Sequence, residues 1–363
     1  MRGLEGFEHG IGIGGWLTNY KRFNVLPLDR RLCLTVGDME HFASYITRDD
    51  VENIAGLGAD HIRLGFDQIV LEDDGGKPRE VIFRLLEDFV SWCEEFGLNV
   101  VLNLHKAVGN YCDIPEEVTL LEDEGLQRRF IALWEHMEDR FAGKPQVAFE
   151  LLNEVRDVDP EQWNDLAERT VKALRKKNKD RLLIVGSTAW NSVHTLKDLR
   201  VLDDDRVAYT FHTYEPFSFT HQRGVLQAPT LYYNRDMPYP GDMERYRDYE
   251  RVVNGAEDPF PGFDRMDRTW LWSMLQPAAD FMKAHPGVML WCGEFGTIRH
   301  AKMAWRENWM RDVIAFLKAN GIPWCAWNYL STPNDGNRFS LVDDDSRKIL
   351  SEEMARILAG EVE

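Results

Sequence analysis

Eight short apolar runs, each followed by an amphipathic stretch, predict a closed (β/α)8 barrel, the TIM-barrel architecture. The runs are nearly continuous in apolar residues rather than alternating, as in Val147-Ala148-Phe149-Glu150-Leu151-Leu152. That suits a parallel strand covered on both faces. The rival, an open doubly wound sheet, opens with a phosphate-binding turn. The glycine-rich run Gly10-Ile11-Gly12-Ile13-Gly14-Gly15-Trp16 is not followed by the helix and ribose-binding acid which that fingerprint requires.

In order, the predicted strands are 10–16, 61–66, 99–105, 147–154, 182–187, 207–214, 288–295 and 322–329. Helices are predicted at 48–58, 81–97, 123–142, 160–179, 191–199, 275–285 and 301–320, with 346–359 after the last strand. Asp159-Pro160-Glu161 supplies an N-cap, a proline at the first helical position and an early acid; Arg175-Lys176-Lys177 closes that helix with cations suited to its dipole. Asn320-Gly321 ends another and drops the chain into Ile322.

Strand starts are mostly 25 to 51 residues apart, but about 80 separate the sixth from the seventh. The surplus, 215–274, is rich in aromatics and prolines and leaves the C-terminal end of a strand. An inserted subdomain over the barrel mouth is therefore expected, with helices at 241–253 and 265–275. The whole of 1–363 reads as one catalytic domain.

A formal charge of −18 repels phosphates and anionic lipid, so neither nucleic acid nor a membrane surface is an expected partner, and no run of 18 apolar residues suggests a spanning helix. A monomer is expected. The N-terminal run MRGLEGFEHGIGIGGW lacks an apolar signal core, so a cytoplasmic location is expected, with secretion if a leader was removed. Five scattered cysteines, Cys33, Cys93, Cys112, Cys292 and Cys325, form neither a disulfide framework nor a zinc motif.

Barrel chemistry sits at the C-terminal ends of strands. There the sequence places Arg63, Asn103 and His105, Asn153-Glu154, His212 and Tyr214, Glu294, and Trp327-Asn328. Glu154 and Glu294 are 140 residues apart, yet their strands face each other across a barrel. Two converging carboxylates are what glycosidic bond cleavage needs: one protonates the leaving oxygen, the other attacks the anomeric carbon or activates water. Mutual repulsion would raise one pKa. Arg63 and the Tyr214 hydroxyl suit the task of keeping the other ionised.

With these residues in place, the chain resembles the family 5 glycoside hydrolases (cellulase family A), and within them bacterial endo-β-1,4-glucanases of the clostridial cellulase C type. The likeness runs through GIGGW, ITRDDVENIAGLGADHIRLGFD, FELLNEV, FHTYEPFSFTHQ, WCGEFGT and WNY. The resemblance implies Glu154 as acid/base and Glu294 as nucleophile of a retaining double displacement. It further implies Asn153 on the sugar 2-hydroxyl, His212 and Tyr214 fixing the carboxylates, Arg63 supporting Glu294, and His105 and Trp327 lining the reacting subsite. No cofactor or metal is implied; the substrate would be a β-glucan or oligosaccharide. One departure is Lys106, which follows His105 where many relatives carry a second histidine and then Ala-Pro-Gly.

Other readings stay open: a family 5 enzyme of different specificity (β-mannanase, exo-β-1,3-glucanase or β-glucosidase), a non-catalytic carbohydrate-binding barrel, or a metal-dependent barrel hydrolase. The last usually shows H-x-H on its first strand, which 10–16 lacks. Trp16, Trp190 and Trp291 are candidates for sugar contact, and His221-Gln222 either reach substrate or anchor the insertion.

Overall fold

The computed structural model describes residues 4–18, 34–112, 118–226, 228–257, 259–332 and 335–362. Cys33 lies outside them, and Cys93, Cys112, Cys292 and Cys325 form no disulfide.

Eight parallel strands close into a barrel. They are β1 (His9–Leu17), β2 (His61–Asp67), β3 (Asn99–Lys106), β4 (Val147–Glu150), β5 (Leu183–Gly186), β6 (Val207–Thr213), β9 (Met289–Phe295) and β10 (Trp324–Ala326). A two-stranded antiparallel pair, β7 (Gly241–Asp242) and β8 (Arg265–Met266), lies outside the barrel. β1 pairs with both β2 and β10, which closes the ring and leaves no barrel edge.

Alternate side chains point into this ring. The lower layer is apolar: Val101, Ala148, Ile184, Ala208, Trp291 and Cys325 pack together with Leu4 and Phe7 at the closed end. Outside, the long amphipathic helices Glu80–Glu95, Glu124–Phe141, Pro160–Lys177 and Met303–Ala319 bury their apolar faces against the strands. Asp159 caps the third of these, accepting from Glu161 N, with Pro160 at its start.

Several expectations are corrected. The stretch 191–199 is not an α-helix: a turn at 188–191 leads into a 3-10 helix, Val193–Asp198. The predicted helices 265–275 and 275–285 are one, Arg268–Ala284, because Asp267 caps it and Pro277 is accommodated within it. The C-terminal helix is only Glu352–Leu358, and strands four and eight stop at Glu150 and Ala326, before the site residues predicted at their ends. Helix Val36–Ser44, held by a Thr35/Asp38 capping box, was not expected.

Between Glu215 and Asp267 the chain forms helices Phe217–Thr220, Ala228–Tyr233 and Met243–Asn254 and the β7–β8 pair. It is tied down at Asp312 of helix Met303–Ala319, whose carboxylate accepts from Tyr239 (2.9 Å) and Arg268 (2.7 Å).

Candidate active site

The site is built one layer above the apolar floor. Arg63, on β2, is fully buried, which would be prohibitive for an unpaired cation. It is paired. Nε and Nη2 donate to the two oxygens of Glu150 at 2.6 and 2.9 Å, Nη1 donates to Glu294 Oε1 at 2.5 Å, and Nη2 also reaches Asn153 Oδ1 at 2.7 Å. Burial alone would lower the Arg63 pKa, but Glu150 and Glu294 outweigh it and hold the group well above its ordinary value.

Glu294, near the end of β9, also accepts from the Tyr214 hydroxyl at 2.8 Å. Burial, and then the neighbouring Glu294 carboxylate, push the Tyr214 pKa well up, so it remains a donor. Glu154 lies four residues beyond β4, in the left-handed region at φ 41°, where a non-glycine residue is uncommon. Strain of that kind concentrates at functional sites. Its Oε1 lies 2.9 Å from His212 Nδ1, and the same nitrogen is 3.7 Å from Glu294 Oε2. Burial drives the His212 pKa down to about 4, so the ring is neutral at pH 7. One oxygen from each glutamate and one His212 nitrogen lie within 4.8 Å of one another.

His105 and Trp327 form a wall, their rings stacked at 5.5 Å and 7°. The second glycine of the first strand finds its reason here. A Cβ on Gly12 would stand 3.0 Å from Trp327 Cε3, so the indole needs that bare backbone. Burial, then Lys106 and Arg63, keep His105 neutral by lowering its pKa well below the usual range.

All eight predicted positions therefore converge on the mouth: Arg63, Asn153, Tyr214 and Glu294 share one hydrogen-bond network, the Glu154–His212 pair stands 3.7 Å from it, and His105 and Trp327 stack on each other. The other candidates divide. Trp16 is buried and donates to Phe42 O, and Trp291 belongs to the barrel floor; both are structural. Trp190 is 44% exposed, its indole N–H on Cys112 O at 2.8 Å. Gln222 anchors the insertion, bonding Phe219 O, Met237 O and Met237 N. His221 stacks on Phe217 at 3.8 Å and lies edge-on to Tyr214.

Sequence reasoning missed Glu150 and Asn191. A charged residue at an inward position of an apolar strand was a usable signal for Glu150. Nothing marked Asn191, whose Nδ2 lies 3.2 Å from His212 Nε2. The Glu154–His212–Glu294 trio offers three ligand atoms for a metal, but Arg63 and Tyr214 already occupy both Glu294 oxygens, and a cation there would lie against a guanidinium.

Paired carboxylates at this spacing on a barrel mouth suit the cutting of glycosidic bonds, and the protein's relatives agree: it is a glycoside hydrolase. Residues 31–332 match Cellulase (glycosyl hydrolase family 5), and the chain belongs to this family. It is 34% identical over 362 residues to Endoglucanase C of Acetivibrio thermocellus, covering 98% of this chain and 99% of that protein. It is 28% identical over 323 residues to Cellodextrinase A of Ruminococcus flavefaciens, covering 88% and 84% of the two chains. Among solved structures, a hyperthermophilic endo-β-1,4-glucanase in complex with substrate superposes with a TM-score of 0.75 at 19% identity over 98% of both chains, a likeness of fold. Among the described residues no helix is long and apolar enough to cross a membrane.

Proposed function

We propose that the protein is a retaining endo-acting glucanase that cleaves β-1,4-glucosidic bonds in β-glucans and cello-oligosaccharides, with Glu294 as nucleophile and Glu154 as acid/base. The observation that carries this reading is the separation of the two carboxylates, oxygen to oxygen within 4.8 Å. Retaining enzymes hold the pair ~5–5.5 Å apart, whereas inverting ones leave ~6.5–9.5 Å for a water between them.

The surroundings divide the roles. Glu294 accepts from a cation and a phenol, which hold its carboxylate in place to attack. Glu154 faces a neutral imidazole and is the more exposed of the two, free to exchange its proton. In the first step the Glu294 oxygen bonds to the anomeric carbon while the glycosidic C–O bond breaks and Glu154 protonates the departing oxygen. In the second, Glu154 takes a proton from water, whose oxygen attacks the anomeric carbon and releases Glu294. Asn153 is oriented through its Oδ1 by Arg63, and its Nδ2, whose partner is the weak acceptor Cys112 Sγ at 3.8 Å, turns to the sugar 2-hydroxyl when substrate enters. His105 and Trp327 line the reacting subsite, and Trp190 offers a ring face beside it. The segment 215–274 acts as a subdomain at the mouth of a single catalytic domain, and the enzyme works as a monomer without a metal.

The test is product chemistry. With an activated aryl β-cellobioside and azide, Glu294→Ala should give the α-glycosyl azide and Glu154→Ala the β-glycosyl azide; the same anomer from both would reject the assignment. Product profiles on barley glucan, mannan and laminarin decide specificity. Faster cleavage of mannan or laminarin, or only monomeric products, would reject the endo-β-1,4-glucanase reading.

A further inference from the structure

After β5 the chain passes through three consecutive left-handed residues, Ala189 (φ 51°), Trp190 (φ 60°) and Asn191 (φ 55°). For alanine and tryptophan this conformation is strained, while asparagine adopts it more readily. The turn is clamped. Ser192 bridges to His212 on β6, and the Ser187 hydroxyl donates to Ser192 O at 2.9 Å. Asn191 is thereby folded back, fully buried, into space that only a glycine at 186 leaves open; a Cβ there would stand 2.3 Å from Asn191 Oδ1.

The amide meets the far side of the His212 ring, Nδ2 to Nε2, at 3.2 Å. On the near side, Nδ1 faces Glu154 at 2.9 Å and Glu294 at 3.7 Å. When Glu154 acts as base it must be ionised, and an ionised carboxylate only accepts, so in that state Nδ1 carries the ring proton. The charged and titratable groups around the ring are Glu154, Glu294, Glu150, Arg63 and His105. Burial holds the ring neutral, with its pKa about 4. A neutral ring protonated on Nδ1 has a bare Nε2, and a buried bare nitrogen needs a donor.

Resting on the acid/base role given to Glu154, we propose that Asn191 is a positioning residue: by donating to Nε2 it commits His212 to the tautomer whose Nδ1–H supports the Glu154 carboxylate. The opposite tautomer would present a bare Nδ1, favour protonated Glu154 and oppose its action as base in the second step.

Nitrogen-15 spectra of histidine-labelled protein at pH 7 test this, with His212 identified by the signals lost in His212→Gln. Protonated Nδ1 and bare Nε2 are expected; a protonated Nε2 in the unmutated protein overturns the proposal. In Asn191→Asp the side chain only accepts, so Nε2 takes a second proton, and the imidazolium 2.9 Å from Glu154 lowers that residue's pKa. The alkaline limb of kcat/KM on unactivated glucan should move down by about one pH unit or more, while a dinitrophenyl cellobioside, needing no acid in the first step, keeps its limb. Unchanged ring nitrogens in Asn191→Asp reject the positioning role. Changed nitrogens with an unmoved limb would instead reject Glu154 as the acid.

Discussion

On β2, His61 faces the barrel interior beside Phe7 and Trp291. Two residues on, Arg63 faces the same interior among Glu150, Asn153 and Glu294. On β4 the same step leads from Ala148 to Glu150, and on β3 from Val101 to Asn103. Both layers are buried, but they solve burial differently. The floor excludes charge: His61 is kept neutral as burial lowers its pKa against the pull of Asp60. The mouth retains charge by pairing it, one guanidinium against two carboxylates. Paired buried charge adds little net stability, so under the proposed function the mouth's network serves chemistry while the floor and outer helices hold the fold.

Substitutions in the two layers should therefore fail in different assays. Glu294→Ala should lower kcat on unactivated glucan on the order of 10^5-fold with the barrel still folded. Glu154→Ala should lose about 10²–10⁴-fold on the same glucan, and much less in the glycosylation of a dinitrophenyl cellobioside. Equal losses on both substrates would remove Glu154 from the acid role. Glu150→Gln links the layers. Glu294 still balances the Arg63 charge, but the glutamine turns an amide N–H donor onto the guanidinium in place of an acceptor, so a loss of roughly 1–3 kcal/mol in denaturant unfolding should accompany slower turnover. Trp291→Ala should cost roughly 3–5 kcal/mol of stability while the pH–rate profile of the folded enzyme stays in place; a moved profile would break the division between the layers.

A further effect is acid sensitivity. Burial lowers the pKa of His212 to about 4 and of His221 to about 3, against 6.5 in the unfolded chain. Below pH 6.5 the unfolded state takes up protons that the native state refuses, so this contribution is whole above that pH and lost as the pH falls toward 4 and 3. Calorimetry should show Tm dropping from pH 7 to pH 4, less steeply in His221→Gln.

The barrel was legible in the sequence because period and punctuation agree along the chain, as at Asp159-Pro160 and Asn320-Gly321. The eight mouth positions were legible because polar residues ending apolar runs have few other reasons to be there. Glu150 was hidden inside a run whose apolar character dominated the reading, although its inward register matched that of Arg63. Asn191 was hidden more deeply. Its placement depends on a left-handed turn at alanine and tryptophan, which no local preference announces, and on space left by Gly186. Trp291 misled for the converse reason: a tryptophan near the C-terminal end of a strand suggested a sugar platform, but its position sets it in the floor.

The central claim is that Glu294 forms a covalent bond to the sugar across the gap from Glu154. Incubation with a 2,4-dinitrophenyl 2-deoxy-2-fluoro-β-cellobioside, followed by proteolysis and mass spectrometry, tests it directly. One fluorocellobiosyl group on the peptide carrying Glu294, released on adding an acceptor sugar, is the predicted result. A label on another residue, or substrate turnover without a covalent adduct, would contradict it.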